Sequence, residues 1–176
     1  MSKKSKDIIA KTLIALMETN NFYEITISEV CDNTPLVRKT FYNNFSSKED
    51  VIKYIAINLI NEYFDSVKKL PSFSLKEISY SYFYFGKKNK KLISLLINNN
   101  LFYLFLGEFN GILPTINMLV PRNRLVNIPE KDLKYIYAFH SAGVNNMLKL
   151  WTKSDFEKTP EEMSELYYLL TQSVQF

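Results

Sequence analysis

Near the start of the chain, Ile9, Leu13, Leu16 and Met17, continued by Asn20, recur at i, i+4, i+7, i+8 spacing. That period predicts an amphipathic helix over about residues 5–19. Asn20-Asn21 is the predicted stop, because asparagine tolerates the left-handed conformation of a C-cap. From Ile27 to Phe45 the apolar residues form two clusters, Ile27/Val30/Cys31 and Leu36/Phe41/Tyr42/Phe45, separated by Asn33-Thr34-Pro35. The pattern spells two short helices around a tight turn. Ser46-Ser47-Lys48-Glu49-Asp50 then places hydroxyl N-caps ahead of acids, and Ile52, Ile55, Leu59, Tyr63 and Val67 form the buried stripe of a long helix that Pro71 closes.

Beyond Pro71 the periodicity predicts helices near 75–86, 89–98, 101–119, 131–152 and 161–174. Pro114 is expected to kink or split the third of these. Residues 120–129, with two prolines, read as a long loop, and Pro160 sits at a tolerated first-turn position of the last helix. No strand pattern competes and no fixed repeat period emerges, so the chain reads as all-α.

Composition narrows the function. The chain has 176 residues, 26 aromatics (13 Phe, 12 Tyr, 1 Trp) and only 4 Gly, which suits a packed helical protein rather than a disordered or turn-rich one. Single Cys31 and single His140 exclude a disulfide framework, a Cys/His zinc cluster and a Cys-x-x-C redox pair. Cys31 reads as a small buried hydrophobe. No phosphate-cradling glycine loop, H-E-x-x-H or nucleophile with a histidine partner is present, so neither an enzyme nor a cofactor is implied. The basic N-terminus lacks a signal-peptide cleavage pattern, and the longest uncharged stretch, 92–107, falls short of the roughly 20 apolar residues that span a bilayer. The expectation is a cytoplasmic protein with no membrane partner.

The net charge is only +4, with 8 cations against 7 anions in residues 1–53 and 14 against 11 in the rest. Overall charge therefore does not point to nucleic acid; local placement does. A helix-turn-helix needs a compact core under two short helices, polar side chains early in the second, and hydroxyl, amide or cationic groups at its flanks for phosphates. Residues 26–48 supply these.

This stretch resembles the DNA-binding domain of the TetR family of transcriptional regulators. The likeness is carried by Thr26, Ile27, Val30, Cys31, Thr34, Leu36, Thr40, Phe41, Tyr42, Asn44, Phe45 and Lys48, with Phe22 fitting an aromatic after the first helix. Two positions depart from the pattern: Pro35 stands where the family has its turn glycine, and Val37 where it has Ser or Thr. Proline cannot adopt positive φ, so one solution is Thr34 as N-cap with Pro35 as the first residue of a lengthened second helix. The resemblance implies an N-terminal three-helix DNA-binding domain over 1–53, joined by a long helix to a helical effector-binding and dimerisation domain over 54–176. It implies that Arg38, Lys39, Thr40 and Asn43 face the major groove, and that Thr26, Tyr42, Asn44 and Lys48 hold phosphates. Lys3, Lys4 and Lys6 are expected as a trailing basic arm.

The remainder resembles the family in architecture, and residues 139–163 resemble the short-chain group that contains regulators of dihydroxyacetone kinase operons. The implied partners are a second copy of the chain, a pseudo-palindromic operator, and a small-molecule effector, with repression as the expected mode. Ala138, Ser141, Ala142 and Gly143, with Leu166, Leu169 and Leu170, suit a four-helix dimer interface. Phe102, Tyr103, Phe105 and His140 are the candidate effector-pocket residues, although for His140 a hydrogen-bonded core position is the stronger reading. Lys87-Lys88-Asn89-Lys90-Lys91 reads by default as a solvated loop. The alternative function is a helical ligand-binding or protein-interaction module without specific DNA binding.

Overall fold

Local chemistry sets several helix ends. The chain after Ile25 is turned into α2 (Ile27–Asp32) by a reciprocal cap: the Thr26 hydroxyl accepts from the Glu29 N–H (3.1 Å), and the Glu29 carboxylate accepts from the Thr26 N–H (2.6 Å). Ser47 caps α4 (Lys48–Val67) by accepting from the Asp50 N–H at 3.1 Å. Thr159 and Glu162 repeat the reciprocal cap ahead of α9 (Pro160–Ser173), with Pro160 in its first position. The computed structural model describes residues 3–119 and 129–173.

The other elements are α1 (Lys3–Met17), α3 (Arg38–Asn44), α5 (Leu75–Lys88), α6 (Lys90–Asn98), α7 (Phe102–Leu119), a 3-10 turn (Glu130–Asp132) and α8 (Leu133–Lys153). The described residues contain no strand. Helix α1 starts at Lys3, so Lys3, Lys4 and Lys6 are helical and form no trailing arm there. The Lys6 ammonium lies 5.5 Å from the ring centres of both Phe45 and Tyr54. The stop after α1 also differs from expectation, because neither Asn20 nor Asn21 has positive φ. Their amides do the work instead: Asn20 Nδ2 donates to the Leu16 carbonyl (3.0 Å), and Asn21 Oδ1 accepts from the Tyr23 N–H (2.9 Å). The left-handed conformation appears at Asn100, Asp155 and Phe156.

Helix α4 joins the two halves. Its stripe Ile52, Ile55, Leu59, Tyr63 and Val67 is buried, beside α1 at the start and α5 and α7 further on. Ile9, Leu13, Phe22, Val30, Phe41 and Ile52 form the first part of the core. Each buried large side chain contributes about 1.5–3 kcal/mol by removal from water. Aromatics fill the second part. Phe102, Phe105 and Phe109 stack in sequence at 5.2 and 5.9 Å, and Tyr82 lies between Phe109 (5.2 Å) and Tyr63 of α4 (5.6 Å). Gly86 lets α5 approach α8: a Cβ there would meet Leu148 Cδ1 at 2.7 Å.

Pro114 lies within α7 and does not split it. The expected loop over 120–129 falls, apart from Pro129, outside the described residues. The lysine run is not simply solvated. Lys87 donates to the Phe156 carbonyl (2.7 Å), Lys88 pairs with Glu62 (2.6 Å) and Lys91 with Glu18 (2.8 Å). No single helix among the described residues is long and apolar enough to cross a membrane.

Candidate nucleic-acid interface

The turn between α2 and α3 is built by Thr34. Its hydroxyl donates to the Cys31 carbonyl (2.9 Å) and accepts from the Leu36 N–H (3.2 Å). A side-chain turn of this kind needs no positive φ, and none occurs there. Pro35 is accommodated within the turn, not as the first helical residue: α3 begins at Arg38, with Val37 in the N-cap position and no side-chain cap. Phe41 and Phe45 anchor α3 to the core at 1% and 6% exposure, while Val30 anchors α2. Ile27, Cys31 and Leu36 pack partly buried against the same core. Burial pushes the Cys31 thiol above its ordinary pKa, consistent with a packing residue rather than a reactive thiolate.

With Phe41 and Phe45 turned inward, α3 presents Arg38, Lys39, Tyr42 and Asn43 to solvent, and Val37 stands beside them. The Arg38 guanidinium lies 5.9 Å from the Tyr42 ring centre. Thr40 is half-buried and its carbonyl accepts from Asn44 Nδ2 (2.7 Å), so the Asn44 side chain folds back on α3. Asn44 Oδ1 is buried without a hydrogen-bond partner among the described residues. Thr26 is exposed at the start of α2, but its hydroxyl also donates to Glu29 (2.8 Å). These bonds hold the Glu29 carboxyl below the usual carboxylate range.

Lys48 has a structural assignment that motif reading did not provide. Its ammonium donates to the carbonyls of Phe22 (2.7 Å) and Ile25 and lies 4.7 Å from the Phe22 ring centre. It thereby ties the start of α4 to the segment between α1 and α2. Lys48→Met is expected to lower stability by about 1.5–3 kcal/mol, the range for hydrogen bonds from a charged donor. Chemical denaturation without DNA checks this; an unchanged midpoint and slope would remove the structural role. The Thr26–Glu29 cap acts between residues three apart, whereas Lys48 is 26 positions from Phe22, so no local signal links them.

A concavity of about 380 Å³ lies between α6, α7 and α8. Phe102 and Tyr103 line it with Asn100, Asn110, Ser141 and Lys149. A polar chain leads from this lining into the core: the Ser141 hydroxyl donates to Asn110, Asn145 Nδ2 to the Ser141 carbonyl (2.9 Å), and the Tyr82 hydroxyl to Asn145 Oδ1 (2.6 Å). Phe105 is not in this lining; it is buried between Phe102 and Phe109. His140 is also outside it, with Nδ1 2.7 Å from the Tyr167 hydroxyl.

Burial pushes the His140 pKa below 6.5. The unfolded chain therefore binds the proton more readily, and this residue's contribution is complete above about pH 6.5 and declines as pH falls toward the lowered native value. Thermal unfolding should show Tm falling below pH 6.5, with a shallower fall in His140→Gln; equal slopes would refute the assignment.

Residues 73–173 match the TetR-type family described as "Transcriptional regulator C-terminal region". A relative in Lactococcus lactis subsp. lactis (strain IL1403), described as an HTH-type dhaKLM operon transcriptional activator, DhaS, is 30% identical over 105 residues. That match covers 56% of this chain and 46% of the relative, so the chain matches about half the relative's length. Among solved structures, a TetR transcriptional regulator from Streptococcus agalactiae 2603V has a TM-score of 0.69 at 23% identity, covering 96% of this chain and 93% of that one. The dihydroxyacetone kinase operon activator DhaS has a TM-score of 0.63 at 16% identity, covering 98% and 96% respectively. These two structural likenesses concern the fold. The family match, over more than half the length of this chain, shows that it belongs to the TetR family of transcriptional regulators.

Proposed function

We propose that the protein is a homodimeric, sequence-specific DNA-binding regulator in the cytoplasm. Residues 1–53 form the reading head, and 54–176 the effector and dimerisation domain, the division falling within α4. The observation that carries the reading is the face of α3: Arg38, Lys39, Tyr42 and Asn43 stand exposed on a helix whose opposite side is locked into the core by Phe41 and Phe45. Such a helix can enter the major groove without losing its support. Tyr42, at the groove's edge, is well placed to meet a phosphate.

Dimerisation is supported by an apolar face on the last two helices. Tyr135, Phe139 and Leu150 on α8 are 66%, 61% and 68% exposed, with Ala142 and Gly143 between them, and Leu169 on α9 is 56% exposed. An added Cβ at Gly143 would meet nothing within 4 Å. Exposed aromatic and aliphatic residues grouped in this way mark an interaction surface. A small effector with both apolar and polar groups suits the concavity between α6, α7 and α8, which Ile97, Phe102 and Leu106 line together with Asn110, Ser141 and Lys149.

Purified protein should retain specific genomic fragments at low salt, with affinity falling steeply as salt rises. Retention no greater than for random DNA would overturn the reading. We place the regulation as repression; the Lactococcus relative is described as an activator. Transcription in vitro from a retained promoter fragment reads the sign, and a rise in transcript on adding protein would overturn repression alone.

A further inference from the structure

We infer that Asn99, at the end of α6, is the positioning residue through which the concavity between α6, α7 and α8 controls the orientation of the reading head. This rests on the regulatory reading above. Helix α6 ends in a tight double turn: the Leu101 N–H donates to the Leu96 carbonyl (2.7 Å), the Asn100 N–H to the Ile97 carbonyl (3.1 Å), and Asn100 has φ of 56°. This is the Schellman arrangement, with asparagine in the left-handed position. It sends adjacent amides in different directions. Asn100 lines the concavity, whereas Asn99 is 8% exposed and bonded across to the other half of the molecule.

Asn99 Oδ1 accepts from the Phe22 N–H at 2.8 Å, a buried bond between residues 77 positions apart. Its Nδ2 donates to the Leu95 carbonyl (3.0 Å), which fixes the amide so that the oxygen faces Phe22. Phe22 is fully buried, and its carbonyl is held by Lys48 at the first residue of α4. The backbone at Phe22 is thus gripped at its N–H by the effector half and at its C=O by the helix that follows α3. The neighbouring Lys91–Glu18 pair also spans the halves, but both side chains are substantially exposed and water weakens the interaction.

The physical consequence is a two-state contact. A shift of Asn100 moves Asn99 through the shared turn, and without Asn99 Oδ1 the Phe22 N–H loses its partner in an apolar setting. An unsatisfied buried N–H is costly, so the bond holds the head in place until an occupant gains more by displacing the turn than the lost bond costs. Release at Phe22 frees one side of the joint that orients α2, α3 and the start of α4. An occupant of the concavity that displaces Asn100 therefore changes how the head is held and with it operator affinity.

The test uses the full chain carrying Cys31→Ser and Tyr103→Cys, with N-ethylmaleimide attached at position 103 as the occupant. Tyr103 is 58% exposed at the rim of the concavity, so the new thiol is reachable. Attachment is expected to speed hydrogen exchange at the Phe22 amide by about tenfold or more and to change affinity for a retained genomic fragment by about fivefold or more. With Asn99→Ala added, Phe22 should exchange rapidly before labelling, and labelling should change affinity by less than about twofold. Asn99→Asp, which keeps an acceptor, should restore the response.

Unchanged Phe22 exchange on labelling overturns the inference, as does an affinity response that persists in Asn99→Ala. The exchange comparison needs no Asn99 variant and so holds even if Asn99→Ala does not fold. Loss of DNA binding in the parent protein as well would overturn the regulatory reading, whereas DNA binding with an Asn99-independent response overturns only this inference.

Discussion

Phe139→Asp combined with Leu169→Asp is expected to give a folded monomer that binds operator DNA at least about 100-fold more weakly than the parent. Both side chains are more than half exposed in the single chain, so their replacement removes little packing within the subunit. In a dimer the same side chains would be covered, and a carboxylate without a partner at the centre of an interface is strongly unfavourable. The loss of DNA binding follows from geometry. One reading head grips one half-site, and linkage of two heads makes the second contact effectively intramolecular, a gain of about 10²–10⁴ in affinity. Sedimentation velocity and fluorescence anisotropy on one operator fragment check both parts. A dimer that survives both aspartates would show that the interface lies elsewhere.

Lys39→Ala is the second large effect, expected to weaken operator binding by about 5–150-fold with much less change for random DNA. The range corresponds to about 1–3 kcal/mol for a side chain that reads a base edge. Lys39 is exposed, and its replacement should leave thermal stability unchanged. Its contrast is Lys48→Met, which lowers stability through the Phe22 and Ile25 carbonyls. Equal losses on specific and random DNA for Lys39→Ala would place Lys39 on phosphates instead of bases.

Much of the fold was legible because its signals are short-range. The α4 stripe from Ile52 to Val67, the Ser47 cap and the proline at the start of α9 each depend on residues within a few positions along the chain. At Pro35 the structure takes a different solution from the Thr34 N-cap. The proline's effect on φ is local, but the turn was decided by the Thr34 hydroxyl, which can serve either an N-cap or a turn bonded to Cys31 and Leu36. The same ambiguity affected Asn20-Asn21, where side-chain amides ended α1 without a left-handed residue.

The candidate interface was legible as a set of residue types but not as a set of available groups. Arg38, Lys39 and Asn43 stand on the exposed side of α3, where the motif implies them. Asn44 and Lys48 carry the family pattern equally well, yet their donors are engaged by Thr40, Phe22 and Ile25. The His140 ring is hydrogen-bonded to Tyr167, which lies 27 positions away, beyond the reach of helical periodicity.

By itself the sequence determined most of the helices, the Ser47 cap, the proline start of the last helix and the helix-turn-helix motif, because periodicity and capping act between neighbours along the chain. Tertiary structure decided which polar groups remain free and which hold the two halves together. That decision depends on desolvation and on partners brought close only by folding, as when Phe22 is bonded at once to Asn99, 77 positions away, and to Lys48, 26 away.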